Sequence, residues 1–575
     1  MPGPPNSIPE KSPTPKDQKS VSISILKSAG VVTIFTLLSR IMGAVRDLFI
    51  ANIFGAGLVT DAFIQAFTIP NVFRRLTAEG SMTLAFLPIY TEIREQRSAE
   101  EAKRFASRVL GLVLFGTGLI CALGMIFSPQ LVLLFAAGFA EDAEKFQLTT
   151  DLNRLMFPYL ILVSVVAWSM GILNAEKRFA APAAAPIFLN LAIIGGAIGL
   201  APWLERPIEG LGWGVLLGGL LQVFLQIPSL FRVEQPLLPK VFWLDPEVKR
   251  LLKLLGPSLF GVAVYQINII ILRNLASFLP DGQVTYYYNA SRLTEFVLGV
   301  FAFAIATASF PELSLQKART DWLEVEKTLR LSFHTTFLIV FPATAGLIGM
   351  AEPIVSVLFR HGAFTWLDVQ ATAVTLMIFA SSIPAVAAVR LLVALFYAMQ
   401  DTKGPVKASL FSMILTGGLG WWLSGIWEVA GLALALSLGT FGQLIVLCWL
   451  LQRKQLPLQK FWSLKVLARY FISAFLIGIG VWSISQQNDW ELGPASSINW
   501  LLFSAMLLGS GLVYFSILKI TGDPYLTVVL KRLRKRTYKL KSQGCLEILL
   551  KKSGCFSGSF DQRIDNSCLR KPLLS

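Results

Sequence analysis

Charged residues occur inside apolar sequence near the start of the chain. The segment LLSRIMGAVRDLF (residues 37–49) contains Arg40, Arg46 and Asp47. Arg40 and Asp47 are seven residues apart, close to two helical turns, so they share one face of a helix, and Arg46 lies about 100° away. A charge at the centre of a bilayer costs roughly 3 kcal/mol. We therefore expect these side chains to line a hydrated cavity and not to face lipid.

The next apolar segment, TDAFIQAFTIPNVFRRLTAEG, adds further charges. Asp61 lies near its start, and Arg74, Arg75 and Glu79 follow Pro70. Arg75 and Glu79 have the i, i+4 spacing of a simple salt bridge on a helix surface, which is the plainer interpretation of that pair. The same spacing does not explain Arg74, which favours a place in the cavity.

A third charged segment, YYYNASRLTEF, lies in the second half of the chain and contains Arg292 and Glu295, one helical turn apart. Guanidinium groups bind phosphate oxygens through two parallel hydrogen bonds and keep their charge at any physiological pH. The arginines together predict a cationic cavity for an anionic substrate such as a diphosphate, and exclude a cationic one. The plainer alternative is that Arg40 or Arg46 reaches a lipid headgroup or pairs with Asp47 for structural reasons only. The arginines expected to face one central space are Arg40, Arg46, Arg74, Arg75 and Arg292.

Composition identifies the elements that must position these charges. Hydrophobic residues make up 54% of the 575 residues and charged residues only 15%, compared with roughly 25% in soluble proteins. The apolar runs are long enough for membrane-spanning helices and lack the alternation of barrel strands. The fold class is therefore all-α and polytopic. The two histidines and five cysteines show no metal-ligand spacing, so we expect no catalytic residue, metal or cofactor.

About fourteen apolar spans are predicted between residues 24 and 519. Basic residues concentrate in the loops after the even-numbered spans, for example in residues 94–108, and the opposite loops carry only Lys145, Arg206 and Arg360. This alternation places both termini in the cytoplasm. Residues 1–23 are predicted to be a disordered tail. The basic run KRLRKRTYKLK in the tail at 521–575 favours binding to anionic lipid headgroups over binding to nucleic acid.

The sequence also repeats itself. SPQLVLLFAAG (128–138) matches EPIVSVLFRHG (352–362), and two further pairs of segments align at nearly the same offset, with Pro88 and Pro182 matching Pro311 and Pro405. The repeat predicts two parallel six-helix halves, as in transporters that bind substrate between their halves. The predicted boundaries are 24–231 for the N-lobe, 232–453 for the C-lobe and 454–520 for two extra helices.

The stretch SRIMGAVRDLFIANIFGAGLVTDAFIQAFTIPNVFRRLTAEGSMTLAFLPIY closely resembles the signature of the MurJ (MviN) family of bacterial lipid II flippases, in the MOP exporter superfamily with its MATE-like core. The likeness covers the spans but neither tail. It implies alternating-access transport of undecaprenyl-diphosphate-linked disaccharide-pentapeptide from the inner to the outer leaflet of the bacterial inner membrane, for peptidoglycan synthesis. It also implies membrane lipids and cell-wall synthesis proteins as partners.

The resemblance also assigns residues. It matches the family's cavity arginines to Arg40, Arg46, Arg74 and Arg292, its paired aspartate to Asp47, and its important carboxylates to Asp61 and Glu79. We expect Arg46 and Arg292 to be the primary diphosphate contacts, with Asp47 restraining Arg46 in the empty cavity and Arg75 in a supporting role.

The chain departs from the family pattern at two places. Many members have an aspartate before the eighth-span arginine, where this chain has Ser291, so the resemblance supplies no carboxylate neighbour for Arg292 there. Some members bind sodium through an acidic residue in the seventh span, where this chain offers only Gln266 and Asn268. Sodium coupling is therefore not predicted.

Three other functions are weaker matches to the sequence. The first is a related exporter of lipid-linked oligosaccharide or another anionic substrate. A membrane-embedded transferase would need catalytic carboxylates in sizeable loops, whereas the outer loops here are short and poor in acids except for AEDAEKF (140–146). A scaffold would not require arginines in the membrane interior. We therefore predict a transporter and not an enzyme.

Overall fold

The computed structural model describes residues 15–76, 85–236, 238–243, 245–299, 303–456 and 461–527. Within these ranges all regular secondary structure is helical, which confirms the predicted all-α fold class. The chain forms two compact units, residues 1–514 and 515–575. In the second unit, Asp523 Oδ1 accepts a hydrogen bond from Leu526 N at 2.8 Å, just after the end of a helix. The first unit contains every predicted site residue.

The helices follow the order that the apolar spans predict. The first nine described helices are α1 (Pro15–Phe54), α2 (Leu58–Arg74), α3 (Leu87–Gln96), α4 (Ala99–Ile126), α5 (Ser128–Phe135), α6 (Ala143–Met156), α7 (Tyr159–Ala175), α8 (Ala180–Gly195) and α9 (Glu209–Phe231). The next eight are α10 (Pro246–Ser277), α11 (Gln283–Val297), α12 (Phe303–Ala318), α13 (Trp322–Gly349), α14 (Ala351–Phe359), α15 (Trp366–Ser381), α16 (Ile383–Ala398) and α17 (Lys403–Arg453). The last two are α18 (Leu464–Ser485) and α19 (Ser497–Ile520).

The two halves of the chain repeat the same helix spacing. α4 begins at Ala99 and α13 at Trp322, which is 223 residues later. The same interval separates the starts of α5 and α14, of α6 and α15, and of α8 and α17, as well as the ends of α1 and α10. The sequence repeat therefore corresponds to a repeat of structure, because insertions between the helices would have broken a constant interval.

The longest described helix contains two of the predicted spans. In α17, Trp427 (φ −125°) and Glu428 (φ 49°, ψ −130°) leave the helical conformation, and the chain reverses there. Gly431 lies against the carbonyl of Leu423, where an added Cβ would come within 2.1 Å of the oxygen. Within the described residues, nine helical stretches are long and apolar enough to cross a bilayer, counting this one once. The total of fourteen spans stays a prediction.

Side-chain caps fix where two helices of the repeat begin. Asp142 Oδ1 accepts hydrogen bonds from Glu144 N at 2.9 Å and Lys145 N at 3.1 Å at the start of α6. At the equivalent start of α15, Thr365 and Asp368 form a reciprocal capping box. The caps place Lys145 and Asp368 at matching positions, third in their helices, on the side of the bundle where several loops meet.

The main apolar core runs through both halves and includes residues of α1, α2, α7, α11, α15 and α16. A second buried cluster joins α3, α4 and α7 to the start of α10, through Val248 and Leu251. Ala276, at the far end of α10, belongs to the main core. α10 therefore begins in the packing of the first half and ends against the second, so it links the two halves physically.

Candidate functional site

The charged residues of α1 meet those of α11 in one cluster, which we call the central cluster: Arg46, Asp47, Asn190, Tyr288 and Arg292. Arg46 Nη2 lies 2.6 Å from Asp47 Oδ1, and Arg46 Nε donates to the same oxygen at 3.0 Å. Arg46 Nη2 also donates to Tyr288 Oη at 2.8 Å, and Arg46 Nη1 donates to Asn190 Oδ1 at 3.2 Å. α1 and α8 of the first half are thereby joined to α11 of the second half.

Arg292 shares the carboxylate that holds Arg46. Arg292 Nε donates to Asp47 Oδ2 at 3.4 Å, and its Nη1 lies 3.3 Å from Glu295 Oε2. Asp47 and Glu295 therefore serve as the carboxylate partners that Ser291 does not supply. The Arg292 side chain is 41% exposed, whereas Arg46 and Asp47 are almost fully buried. The cluster thus opens to space on the Arg292 side, within a helix predicted to lie in the membrane.

The other predicted arginines lie along the same helices but outside these contacts. The Arg40 guanidinium lies over Gly299 near the end of α11, where an added Cβ would come within 1.9 Å of Nη1. Arg74 occupies the last turn of α2 and donates through Nε to Asn71 Oδ1 at 3.0 Å. Arg75 follows at the helix end and is half-buried. Glu79 lies outside the described residues. The structure therefore brings Arg46, Asp47 and Arg292 together, and the described bond of Arg74 is local.

Asp61 belongs to a separate cluster, which we call the closed-end cluster: Asp61, Lys145, Asp281, Gly282 and Thr285. Asp61 is fully buried. Its Oδ2 accepts from Gly282 N at 2.8 Å, and its Oδ1 accepts from Thr285 N at 2.9 Å and Thr285 Oγ1 at 2.6 Å. A carboxylate on α2 thus caps the N-terminus of α11, satisfying amides that the helix itself leaves unpaired.

Lys145 completes this cluster. Its Nζ lies 3.2 Å from Asp61 Oδ2 and 2.7 Å from Asp281 Oδ1, and 4.2 Å from the centroid of the Phe139 ring. The Lys145 side chain is only 5% exposed. The one basic residue of the loop AEDAEKF is therefore a buried partner of Asp61 and not a solvated loop charge.

Backbone contacts seal the bundle beside this cluster. Ala363 N donates to Asn52 O at 2.9 Å across the two halves. Gly55 (φ +66°) and Gly362 (φ +51°) allow this approach, because a Cβ on Gly362 would lie 2.3 Å from Asn52 O and one on Gly55 2.6 Å from Ala363 O. We call the end of the bundle where the loops at 55–57, 278–282 and 360–365 meet the closed end.

Ion pairs hold the start of α10 at the opposite end. Arg97 Nη2 lies 2.6 Å from Glu247 Oε1, and Arg250 binds both carboxylate oxygens of Glu92 at 2.9 Å. These side chains are largely half-exposed, so each pair contributes little stability on its own. Together with the buried Val248 and Leu251, they fix the first turns of α10 to α3 and α4.

The arrangement has the chemistry of an anion site with access from one direction. Two guanidinium groups share a single aspartate, so an incoming phosphate can take over donors that now point at Asp47. No group of three or more His, Cys, Asp or Glu suited to hold a metal ion is found in the part of the chain that the structure describes. The sequence analysis missed four members of the two clusters, because neutral polar residues and a loop lysine have no distinctive spacing: Asn190, Tyr288, Lys145 and Thr285.

Comparisons with known proteins agree with this geometry. The profile of the family described as "Lipid II flippase MurJ" matches residues 50–501. A protein of Buchnera aphidicola subsp. Acyrthosiphon pisum named "Probable lipid II flippase MurJ" is 34% identical over 504 residues, covering 87% of this chain and 98% of its own. A solved structure titled "Lipid II flippase MurJ, inward closed conformation" superimposes with a TM-score of 0.72 at 25% identity, covering 85% of this chain and 98% of its own.

The fold is also similar to that of a more distant transporter. An inward-facing multidrug resistance MATE family transporter of the MOP superfamily superimposes with a TM-score of 0.61 at 14% identity, covering 74% of this chain and 98% of its own. At this identity the likeness shows the fold alone. It confirms the MATE-like core that the resemblance implies.

Proposed function

The chain belongs to the MurJ family of lipid II flippases, and from that premise we propose that it moves lipid II from the inner to the outer leaflet of a bacterial inner membrane. It is a multi-pass membrane protein of a transporter family and not of an enzyme family. One observation supports the mechanism most strongly. The central cluster is partly exposed through Arg292, whereas the carboxylate of the closed-end cluster is fully buried. This difference is what an alternating-access transporter open toward one side requires.

In the proposed mechanism, the diphosphate of lipid II binds Arg46 and Arg292 first. In the empty cavity both guanidinium groups donate to Asp47. A diphosphate carries more negative charge than one carboxylate and offers more oxygens for paired donors, so it displaces Asp47 from part of this network. Arg40 and Arg74 extend the cationic surface along the path, and Arg75 and Glu79 support it.

The second step opens the closed end. Separation of the two halves there must break the bonds of Asp61 to α11, the Lys145–Asp61 pair and the Ala363–Asn52 hydrogen bond. The alternation of basic loops suggests that this end faces outward and that both termini are cytoplasmic. The moving bodies are the lobes at 24–231 and 232–453. Ser463 N, at the start of α18, donates to His334 Nε2 on α13 at 3.2 Å, so α18 braces the second lobe.

A complementation experiment tests this function. The gene is expressed in a bacterium whose own lipid II flippase is depleted, and growth and cell shape are scored. Purified protein in proteoliposomes is then assayed for lipid II flipping, with Arg46→Ala as the diagnostic variant. We expect rescue by the natural chain and loss of flipping in Arg46→Ala. Normal flipping by Arg46→Ala would contradict its assignment, and rescue only of a lipid-linked oligosaccharide exporter would identify the related function.

A further inference from the structure

A third guanidinium lies between the two clusters. Arg273 is on α10, one helical turn before Ser277, and its backbone oxygen accepts a hydrogen bond from Gln65 Nε2 at 2.8 Å. Gln65 follows Asp61 by one turn of α2. Arg273 therefore sits next to the closed-end cluster at the level of the backbone.

The Arg273 side chain points toward the central cluster. Its guanidinium carbon is 5.6 Å from the centroid of the Tyr287 ring and 5.8 Å from that of Tyr288. Arg292 lies at the same 5.8 Å from the Tyr288 ring, whose hydroxyl bonds Arg46. One aromatic ring thus separates Arg273 from the two arginines that are expected to bind the substrate first.

Arg273 lacks the partners that its neighbours have. Within the described ranges, no carboxylate lies within 4.0 Å of its guanidinium, and Nη1 is buried without a hydrogen-bond partner. Asp47 is already shared by Arg46 and Arg292, and Asp61 by Lys145 and the start of α11. A buried cation with an unfilled donor is costly in a membrane protein, and such residues are typical of transport pathways.

We propose that Arg273 is a second binding position for the diphosphate of the substrate, occupied after the Arg46–Arg292 position as the closed end opens. Gln65 is in the first half and Arg273 in the second, so separation of the halves breaks their hydrogen bond and uncovers the guanidinium. The anionic group then finds a free cation deeper in the cavity, beyond the Tyr288 ring. This inference rests on the proposed flippase function.

The test separates initial binding from transport. Arg273→Gln, Arg273→Lys and Arg46→Ala are prepared in the full-length chain, with Arg330→Gln as a matched control, because Arg330 is an exposed arginine of α13 outside both clusters. Equilibrium binding of lipid II is measured in detergent, and the flipping rate is measured in proteoliposomes at several lipid II densities.

Arg273→Gln is expected to reduce the maximal flipping rate by about tenfold or more, the effect of losing one charge-assisted hydrogen bond, while lipid II binding changes by less than about twofold. Arg273→Lys keeps the charge without the two-pronged donor and recovers part of the rate. Arg46→Ala weakens the initial binding itself, and Arg330→Gln behaves like the natural protein.

Two results would overturn the proposal. One is flipping at the natural rate by Arg273→Gln. The other is a loss of initial binding in Arg273→Gln as large as that in Arg46→Ala, since the two residues would then form a single site. If Arg273→Gln does not fold, a natural rate in Arg273→Lys overturns the proposal equally, because the bidentate geometry would be dispensable. Failure of the natural protein to flip lipid II would instead refute the proposed function.

Discussion

The central cluster and the closed-end cluster both set an aspartate of the first half against α11 of the second half, but they use it differently. Asp47 accepts from the flexible side chains of Arg46 and Arg292, and the site is open on the Arg292 side. Asp61 is fully buried and accepts from the backbone amides of Gly282 and Thr285. Long side chains can turn toward a ligand, whereas backbone amides move only when the helix moves. The first cluster is suited to exchange partners, and the second to hold two halves together.

The largest effect is expected from Asp61→Asn. The substitution leaves the buried Lys145 without its inner carboxylate, and breaking one side of a buried ion pair costs about 3–5 kcal/mol. We expect a lower midpoint of thermal unfolding in detergent and a strong loss of flipping. Asp281→Asn is the matched control, because it removes the other carboxylate from the same ammonium but is 54% exposed, so it should cost about 1 kcal/mol or less. Equal effects of the two substitutions would erase the distinction between the clusters.

Gly362→Ala tests the backbone seal beside Asp61. The new Cβ would lie 2.3 Å from Asn52 O at a residue with φ +51°, and overpacking of this kind costs about 1–3 kcal/mol. We expect faster hydrogen–deuterium exchange of the Ala363 amide, which now donates to Asn52 O. Gly57→Ala is the control, since no atom lies within 4 Å of its added Cβ. Unchanged exchange in Gly362→Ala would show that the seal tolerates separation.

Asp47→Asn should act in the opposite direction on binding. Neutralising Asp47 frees Arg46 and Arg292 from their shared competitor, so lipid II is expected to bind about tenfold more tightly, which corresponds to about 1.4 kcal/mol. Turnover should fall, because the empty cluster no longer re-forms after release. Glu295→Gln, which removes an exposed partner of Arg292 only, should change binding less. Weaker lipid II binding in Asp47→Asn would make Asp47 a supporting residue and not a competitor.

The smallest effect is expected at an ion pair outside the membrane spans. Lys454 Nζ lies 2.9 Å from Asp401 Oδ2, and this hydrogen bond lowers the pKa of the Asp401 carboxyl below its ordinary value. A lowered pKa gives stability above the ordinary range of an aspartate, about pH 4, and that stability is lost as the pH falls through the lowered value. Asp401→Asn should therefore lower the unfolding midpoint slightly at pH 7 and not at pH 3. An effect as large as that of Asp61→Asn would contradict the link between burial and holding strength.

Much of the fold could be predicted from the sequence. The 223-residue interval seen in three short matches recurs in the starts of four pairs of helices, because helix length and loop length are both encoded locally. The repeat does not extend to the charges. The positions 223 residues after Arg46 and Asp47 are Ile269 and Ile270, so each half supplies chemistry that the other lacks.

The site could be predicted only in part. Arg46, Asp47 and Arg292 were identifiable because charges in apolar sequence are conspicuous, and the structure brings these three together. Tyr288 and Asn190 are unremarkable in sequence, and their contacts with Arg46 span 242 and 144 residues. Lys145 was counted among the few basic residues of its side of the membrane. Only the folded chain shows that it is buried against Asp61.

The cap that Asp61 places on α11 has an electrical consequence. When the halves separate at the closed end, the carboxylate leaves with α2, and the N-terminus of α11 keeps its unsatisfied amides and the positive end of its helix dipole. Charges that were paired in a dry interior become charges in contact with salt water, where mobile ions screen them within about 10 Å at 0.1 M ionic strength. Opening at this end is thus an exchange of an internal counter-ion for dissolved ones, and its equilibrium shifts toward the open state as the ionic strength outside rises.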